Sequence, residues 1–258
     1  MARVHSSAIV EAGAILAHDV EVGPYVLIGS EVELCQGVSV GAHAAVIGRT
    51  RVGSGSRIHP FACIGGEPQD KTFSGESTRL DIGTDNVIRE HATIHVGTPR
   101  GGGCTRIGDD NLIMNSAHIA HDCRIGSHCI IASFSGLAGH VTVDDYAVLG
   151  AYTGVHQFCR VGESVMAASN VKLSLDAPPF SMVAGDRARL VGLNSTGLRR
   201  RGFSPETMRK LKHAFHILFN SRLLLEVALA QAREEVGESP EVQRLLRFLE
   251  KSERGFCR

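Results

Sequence analysis

An aliphatic residue stands at every sixth position from Val4 to Ile64, through Val10, Leu16, Val22, Ile28, Leu34, Val40, Val46, Val52 and Ile58, without a break. Ile82, Ile88 and Ile94 continue the count. After a glycine-rich interruption the phase slips by one residue and resumes at Ile107, running through Ile113, Ile119, Ile125, Ile131, Leu137, Val143, Leu149, Val155, Val161 and Ala167 to Leu173. A helix repeats near 3.6 and a half-buried strand at two, so neither produces a sustained period of six. A parallel β-helix does. Each hexad supplies one short strand and one turn, three hexads close a triangular coil, and the aliphatic points inward. Four places on, a second small or branched residue recurs (Ala8, Ala14, Val20, Val26; then Ala117, Cys123, Cys129, Ser135), and glycine often follows the aliphatic directly, as at Gly23, Gly29, Gly41 and Gly126. Glycine or a small polar residue suits the corner of such a coil.

The period lapses twice, over residues 66–79 and 96–106. A solenoid can accept insertions only at its corners, so both stretches are expected to stand out as loops, serving either as substrate loops or as plain flexible corners. Past Ala177 the hexads stop at Ala177-Pro178-Pro179-Phe180, where two prolines are expected to end the ladder. Helical signals then take over. Ser204-Pro205-Glu206 reads as an N-cap with an acidic first turn, ahead of Met208, Leu211, Phe215, Leu218 and Phe219 at helical spacing. A second helix is expected over 223–236, and Ser239-Pro240-Glu241 opens a third running to about Glu250. The expected division is a β-helix catalytic domain, 1–186, and a basic helical domain, 187–258.

At 258 residues with 43% hydrophobic content, the chain can bury a sizeable core, built from Val, Ile, Leu and Ala because tryptophan is absent. Lys plus Arg and Asp plus Glu both number 27, so the charge balance singles out no nucleic acid. Residues 187–258 nevertheless hold 15 Lys and Arg against 8 Glu, a surplus of seven suited to steering an acidic partner onto the helices. The N-terminal residues carry no secretory apolar run, and no apolar stretch approaches the roughly 18 residues of a membrane span, so the expectation is a cytoplasmic chain without an integral membrane segment. The seven cysteines lack CxxC spacing and fit a reducing compartment; Cys123, Cys129 and Cys159 occupy the small-residue slot of the repeat, which reads as structural and not as nucleophilic catalysis.

Residues 18 apart should stack about 4.8 Å from one another on the same face. His121, Gly139 and Gln157 each follow an inward aliphatic by two places and form one column; Asp122, His140 and Phe158 form the next. A histidine with an adjacent aspartate, one coil from a glycine amide, is the equipment for acyl transfer from a thioester. His121 would take a hydroxyl proton, Asp122 would hold its tautomer, and the Gly139 N–H would receive the oxyanion, each worth on the order of 10²- to 10³-fold. His118, His121, His140 and His156 cluster in the same region.

The runs Ala-His-Ile-Ala-His-Asp-Cys (117–123), Leu-Ala-Gly-His-Val (137–141), Val-His-Gln-Phe-Cys (155–159), Asp-Asn-Leu-Ile-Met (110–114) and Gly-Leu-Arg-Arg-Arg-Gly-Phe-Ser (197–204) resemble the UDP-N-acetylglucosamine acyltransferases of lipid A biosynthesis, over essentially the whole chain. The resemblance implies a left-handed parallel β-helix of hexapeptide repeats with a C-terminal α-helical domain, an exception to the right-handed crossover rule. It implies transfer of an (R)-3-hydroxyacyl group from acyl carrier protein to the 3-position of UDP-N-acetylglucosamine, by a homotrimer with sites between neighbouring β-helices. The acyl group would arrive on the carrier's phosphopantetheine, with no cofactor or metal of the enzyme's own. Residue by residue, His121 would be the base, Asp122 its support and Gly139 the oxyanion donor; His118, His140, His156 and Gln157 would line the cleft. Asp70 would contact the sugar, Asn194, Arg200 and Arg201 the nucleotide. Met166 and Ser169 would lie at the acyl-chain ruler, Ser169 favouring a shorter chain.

Two segments depart from that pattern. Gln69-Asp70-Lys71-Thr72-Phe73 moves a lysine by one place, and Asn194-Ser195-Thr196-Gly197 lacks a glutamate, differences compatible with an acceptor carrying a 3-amino group instead of a hydroxyl. Two other readings use the same fold. A metal-dependent hydratase of the γ-carbonic-anhydrase type would recruit His118 and His121 as ligands, and a catalytically silent hexapeptide scaffold would use the basic helices for docking alone.

Overall fold

The computed structural model describes residues 1–258. The hexads form a left-handed parallel β-helix whose three faces are three sheets of very short strands. One face starts at Arg3–Val4, a second at Ile9–Val10 and a third at Ile15–Leu16. The register follows the 18-residue count wherever no insertion intervenes: Ile119 lies opposite Leu137, which lies opposite Val155. The hexad aliphatics fill a single continuous core, with Ile28, Ile64, Ile94, Ile119 and Leu137 fully buried. Each such side chain contributes roughly 1.5–3 kcal/mol by leaving water. Val4 and Val10 stay exposed because no coil lies beneath them.

The corners impose a cost that the sequence absorbs. Tyr25, His43, Phe61, His91, His128, Phe134, Tyr146 and Tyr152 all sit at φ between 57° and 63°, the left-handed region. Stacking along the corner helps to offset this strain: the Tyr25, His43 and Phe61 rings follow one another at 5.0 Å spacing and nearly parallel.

The ladder does not end at the prolines. Pro178 and Pro179 occupy a corner, where the pairing takes no N–H, and Ser181–Ala184 resumes the parallel ladder beside Met166–Ala167. Arg189–Leu193 then turns back antiparallel on it. A short helix α1 (Ser195–Arg200) follows, capped by Asn194, whose side chain accepts from the Gly197 amide. Helix α2 (Pro205–Phe215) runs on into a π-type turn, His216–Asn220; α3 (Leu225–Val236) and α4 (Pro240–Glu250) complete the bundle. Ser204 caps α2 by accepting from Thr207 N, as its sequence suggests. The helices share a second core that includes Phe180 of the last coil. The tail returns to the solenoid, where Cys257 is buried and its amide donates to Asp176 O at 2.8 Å. No helix is long and apolar enough to cross a membrane.

Candidate active site

The second face carries the chemistry. Its outward positions in successive coils are His118, Gly136, Gly154 and Lys172, in register. Two glycines in a row cut a trench into the sheet, and a Cβ added at either would meet open space. This trench leads to a cleft of about 1200 Å³ lined by Gln69, His118, His121, Gly139, His156 and Gln157, with Lys172 and Arg187 at its far end.

His121 projects from the corner just beyond the strand His118–Ile119. Its Nδ1 lies 2.8 Å from Asp122 Oδ2. Asp122 has almost no solvent exposure and is held from three other directions. Its Oδ1 accepts from the Thr98 amide at 2.9 Å, its Oδ2 accepts from the Thr98 hydroxyl at 2.6 Å, and its own amide donates to Thr105 Oγ1 at 2.8 Å. A carboxylate so satisfied is held rigid, with its Oδ2 against the His121 ring. It therefore fixes the proton of His121 on Nδ1 and leaves Nε2 as an acceptor facing the cleft, the tautomer a general base requires.

Gly139 sits one coil above His121 and is buried. A Cβ there would fall 2.5 Å from His121 Cε1 and 2.7 Å from Nε2, so only glycine leaves room for the imidazole. His140 packs edge-on to His121, with ring centroids 5.2 Å apart, and stacks on Phe158 at 4.4 Å. His118 is fixed by a 2.8 Å bond between Nδ1 and Thr93 Oγ1 and meets His95 edge-on at 5.0 Å. Burial holds the imidazoles of His95, His118 and His140 below their usual range, His95 down to about 4; repulsion from neighbouring imidazoles adds to this, and at His140 the Asp122 carboxylate opposes it. These three rings are neutral near pH 7, so the base works among neutral neighbours.

The sequence-expected residues divide into those at the cleft and those away from it. His118, His121, Gly139, His156 and Gln157 line it, with Asp122 and His140 directly behind. Asp70 is half-buried on the loop next to Gln69, its carboxyl held low by the Thr72 amide and hydroxyl. Met166 belongs to a different face, and Ser169 to the corner that follows it. Neither Asn194, Arg200 nor Arg201 lines the cleft of its own chain: Asn194 caps α1 and donates to Ser164 O, and Arg201 pairs with Glu163 at 2.9 Å beneath the Tyr146 ring. Thr98, Thr105 and His95 join the site without any period announcing them, although outward strand positions 18 apart, Gly136, Gly154 and Lys172, do signal the trench and its end.

One cluster has metal-binding geometry, His121 with Asp122 and His140. It offers two imidazoles, not the three of the hydratase reading; Asp122 Oδ2 is already shared between Thr98 and His121, and His118 turns its Nδ1 to Thr93. The donor set favours proton transfer over ligation.

A rigid β-helix presenting a His-Asp pair opposite a buried glycine defines a hexapeptide-repeat transferase. Residues 104–139 match the bacterial transferase hexapeptide model, and residues 176–257 match the model of the second domain of UDP-N-acetylglucosamine O-acyltransferase. The chain is 48% identical to the acyl-(acyl-carrier-protein)--UDP-N-acetylglucosamine O-acyltransferase of Thiobacillus denitrificans and 44% identical to that of Thermodesulfovibrio yellowstonii, covering the whole of each chain. It superimposes on the UDP-N-acetylglucosamine acyltransferase of Francisella novicida with a TM-score of 0.96 at 37% identity, covering 99% of this chain and 94% of the other. The chain belongs to the UDP-N-acetylglucosamine O-acyltransferase family.

Proposed function

We infer that the protein transfers an (R)-3-hydroxyacyl group from the phosphopantetheine thiol of acyl carrier protein to the 3-hydroxyl of UDP-N-acetylglucosamine, the first step of lipid A biosynthesis. The observation that carries the reading is the relay Thr98–Asp122–His121, whose imidazole packs against Gly139. His121 Nε2 accepts the proton of the sugar hydroxyl as its oxygen bonds to the thioester carbon. The tetrahedral oxyanion takes a hydrogen bond from the Gly139 N–H, which has no partner within the chain. As the C–S bond breaks, the imidazolium returns its proton to the leaving thiolate. Base and oxyanion donor each supply about 3–4 kcal/mol of barrier lowering.

The active form is a trimer. The face of Met166 carries Val87, Leu112, Ile130, Val148, Met166 and Met182 at successive outward positions, a continuous apolar stripe of the kind that marks an interface. Setting this stripe against the trench face of a neighbour closes a three-fold ring. A neighbouring copy then supplies Met166 and Ser169, along with Asn194 and Arg200, to a cleft that lacks them in a single chain. The test is acyl transfer from 3-hydroxyacyl carrier protein to UDP-N-acetylglucosamine and to its 3-amino analogue, with His121→Ala as control. Transfer that collapses in a still-trimeric variant supports the mechanism and identifies the acceptor; a well-folded trimer inactive on both sugars refutes it.

A further inference from the structure

The third face and helix α4 enclose a groove of about 830 Å³, on a different face from the histidine cleft. Its floor is a ladder of outward positions, with Arg106 opposite Arg124, Arg124 opposite Thr142 and Thr142 opposite Arg160. Its wall is one side of α4, bearing Arg244, Arg247, Phe248 and Lys251. Two of these cations fasten the helix to the coils: Arg160 donates to the Phe248 and Lys251 carbonyls and stacks on the Phe248 ring, while Arg244 pairs with Glu163 at 2.8 Å and Glu241 at 3.3 Å. The other four, Arg106, Arg124, Arg247 and Lys251, make no ion pair; their side chains appear in none of the chain's hydrogen bonds.

Acidic groups are present: Asp81 lies directly opposite Arg106 on the preceding rung, and it and most of the others have partners apart from the four unpaired cations. Asp81 pairs with Arg79, Glu163 with Arg201 and Arg244, Asp109 accepts from Thr84, and Asp145 accepts from the Ser127 amide. Only Asp144 lacks a partner, and burial pushes its carboxyl up to about 6. Two arginines directly opposite each other in a ladder repel at a strand spacing of about 4.8 Å. Nothing in the fold requires this, since Thr142 fills the next rung with a neutral side chain. The repulsion becomes attraction once an anion lies across the two guanidiniums, whose planar forks match phosphate oxygens in pairs.

We propose that this groove is a binding site for a small anion bearing two linked phosphates, held by Arg106 and Arg124 from the floor and by Arg247 and Lys251 from the helix. The concave shape and the adjacent rungs suit neighbouring phosphates on a small body better than the broad convex surface of an acidic protein.

Inorganic diphosphate is the probe, titrated into the full-length protein at low salt by calorimetry and by thermal shift. Wild type binds and melts at higher temperature. Arg106→Gln/Arg124→Gln weakens binding by about tenfold per arginine, with acyl transfer unaffected. Arg200→Gln leaves the diphosphate affinity as in wild type, which separates the groove from the nucleotide end of the substrate site. Should the double variant fail to fold, Arg124→Gln alone serves, because removing one of two repelling charges leaves the ligand-free protein at least as stable as wild type. The proposal is overturned if wild type ignores diphosphate, if the double variant binds it equally well, or if Arg200→Gln abolishes binding. It is also overturned if the double variant only raises KM for acyl carrier protein, since the groove is then a carrier-docking face.

Discussion

Asp122→Asn separates the charge and geometry of the relay from its volume. Asparagine is the same size and tolerates the left-handed backbone at this corner, where φ is 60°, so the coil has no reason to rearrange. The hydrogen bonds decide which way its amide faces. The Thr98 amide lies 2.9 Å from Oδ1 and can only donate, so the carboxamide oxygen must occupy that position; the reverse orientation would bury two opposed donors at a cost of about 1–3 kcal/mol. The NH2 then takes the place of Oδ2, between Thr98 Oγ1 and His121 Nδ1. Thr98 can accept, and so can Nδ1, but an accepting Nδ1 forces the ring proton onto Nε2. The base is then capped by its own proton. Losing general-base catalysis costs about 10²- to 10⁴-fold, or roughly 3–5 kcal/mol on the barrier.

The assay is the initial rate of transfer from carrier-bound 3-hydroxyacyl chains, read by product mass, with KM, melting temperature and oligomeric state measured alongside. The expected variant is a normal trimer with kcat down at least a hundredfold and KM little changed. Raising the pH does not restore it, because the fault is the tautomer and not the charge. A folded Asp122→Asn enzyme whose kcat lies within tenfold of wild type refutes the relay.

Gly139→Ala adds a carbon that collides with the His121 ring at a position whose backbone accepts alanine; kcat should fall by more than tenfold at nearly unchanged melting temperature, and a crystal structure should show the imidazole displaced. Gly136→Ser instead extends into the open trench, so it should leave kcat and stability intact while raising KM for the acyl donor several-fold, and an unchanged KM would mean the trench carries no substrate. Thr98→Val removes the 2.6 Å bond to Asp122 and leaves a buried carboxylate one donor short, lowering stability by about 1–3 kcal/mol and kcat with it. His95, held down to about 4 against an unfolded value near 6.5, leaves the unfolded chain binding the extra proton between those limits. Stability is therefore complete above pH 6.5 and declines toward pH 4, by up to about 3 kcal/mol from this residue. Denaturation of His95→Phe across that window should show a shallower decline; parallel curves would remove His95 as the cause.

The hexad count makes the faces, the columns and the His121–Gly139 contact legible in advance, because Ile119, Leu137 and Val155 fix which residues stack. It fails where the period fails. Thr98 lies in an insertion, and nothing in its sequence says over which coil the loop folds. The prolines mislead for a physical reason: they are incompatible with a ladder but fit a corner, so the sheet continues at Ser181–Ala184. Helix α1 is too short to show a period and is specified by its Asn194 cap and its packing through Leu198. The middle of the apolar stripe, Leu112 to Met166, and the arginine ladder both recur at 18-residue spacing, but at outward positions, which inward aliphatics do not mark.

The two kinds of sequence serve the site in complementary ways. A solenoid repeats its backbone so faithfully that every coil offers the same corner, and a corner alone cannot make one aspartate different from the others. Asp85, Asp110 and Asp122 all sit at left-handed corners with φ from 52° to 60°, yet only Asp122 is buried and orders a histidine beside it in the chain. What distinguishes it is the insertion after Val96, which breaks the period, turns through Pro99–Gly101 and lays Thr98 across the carboxylate. Gly101 passes so close that a Cβ there would strike Asp122. The repeat therefore sets distances between coils, and the interruption selects which coil becomes catalytic. Gly101→Ala tests this division: the repeat should stay folded, because the strand pairing does not involve that loop, while displacement of Thr98 from Asp122 should lower kcat as Thr98→Val does.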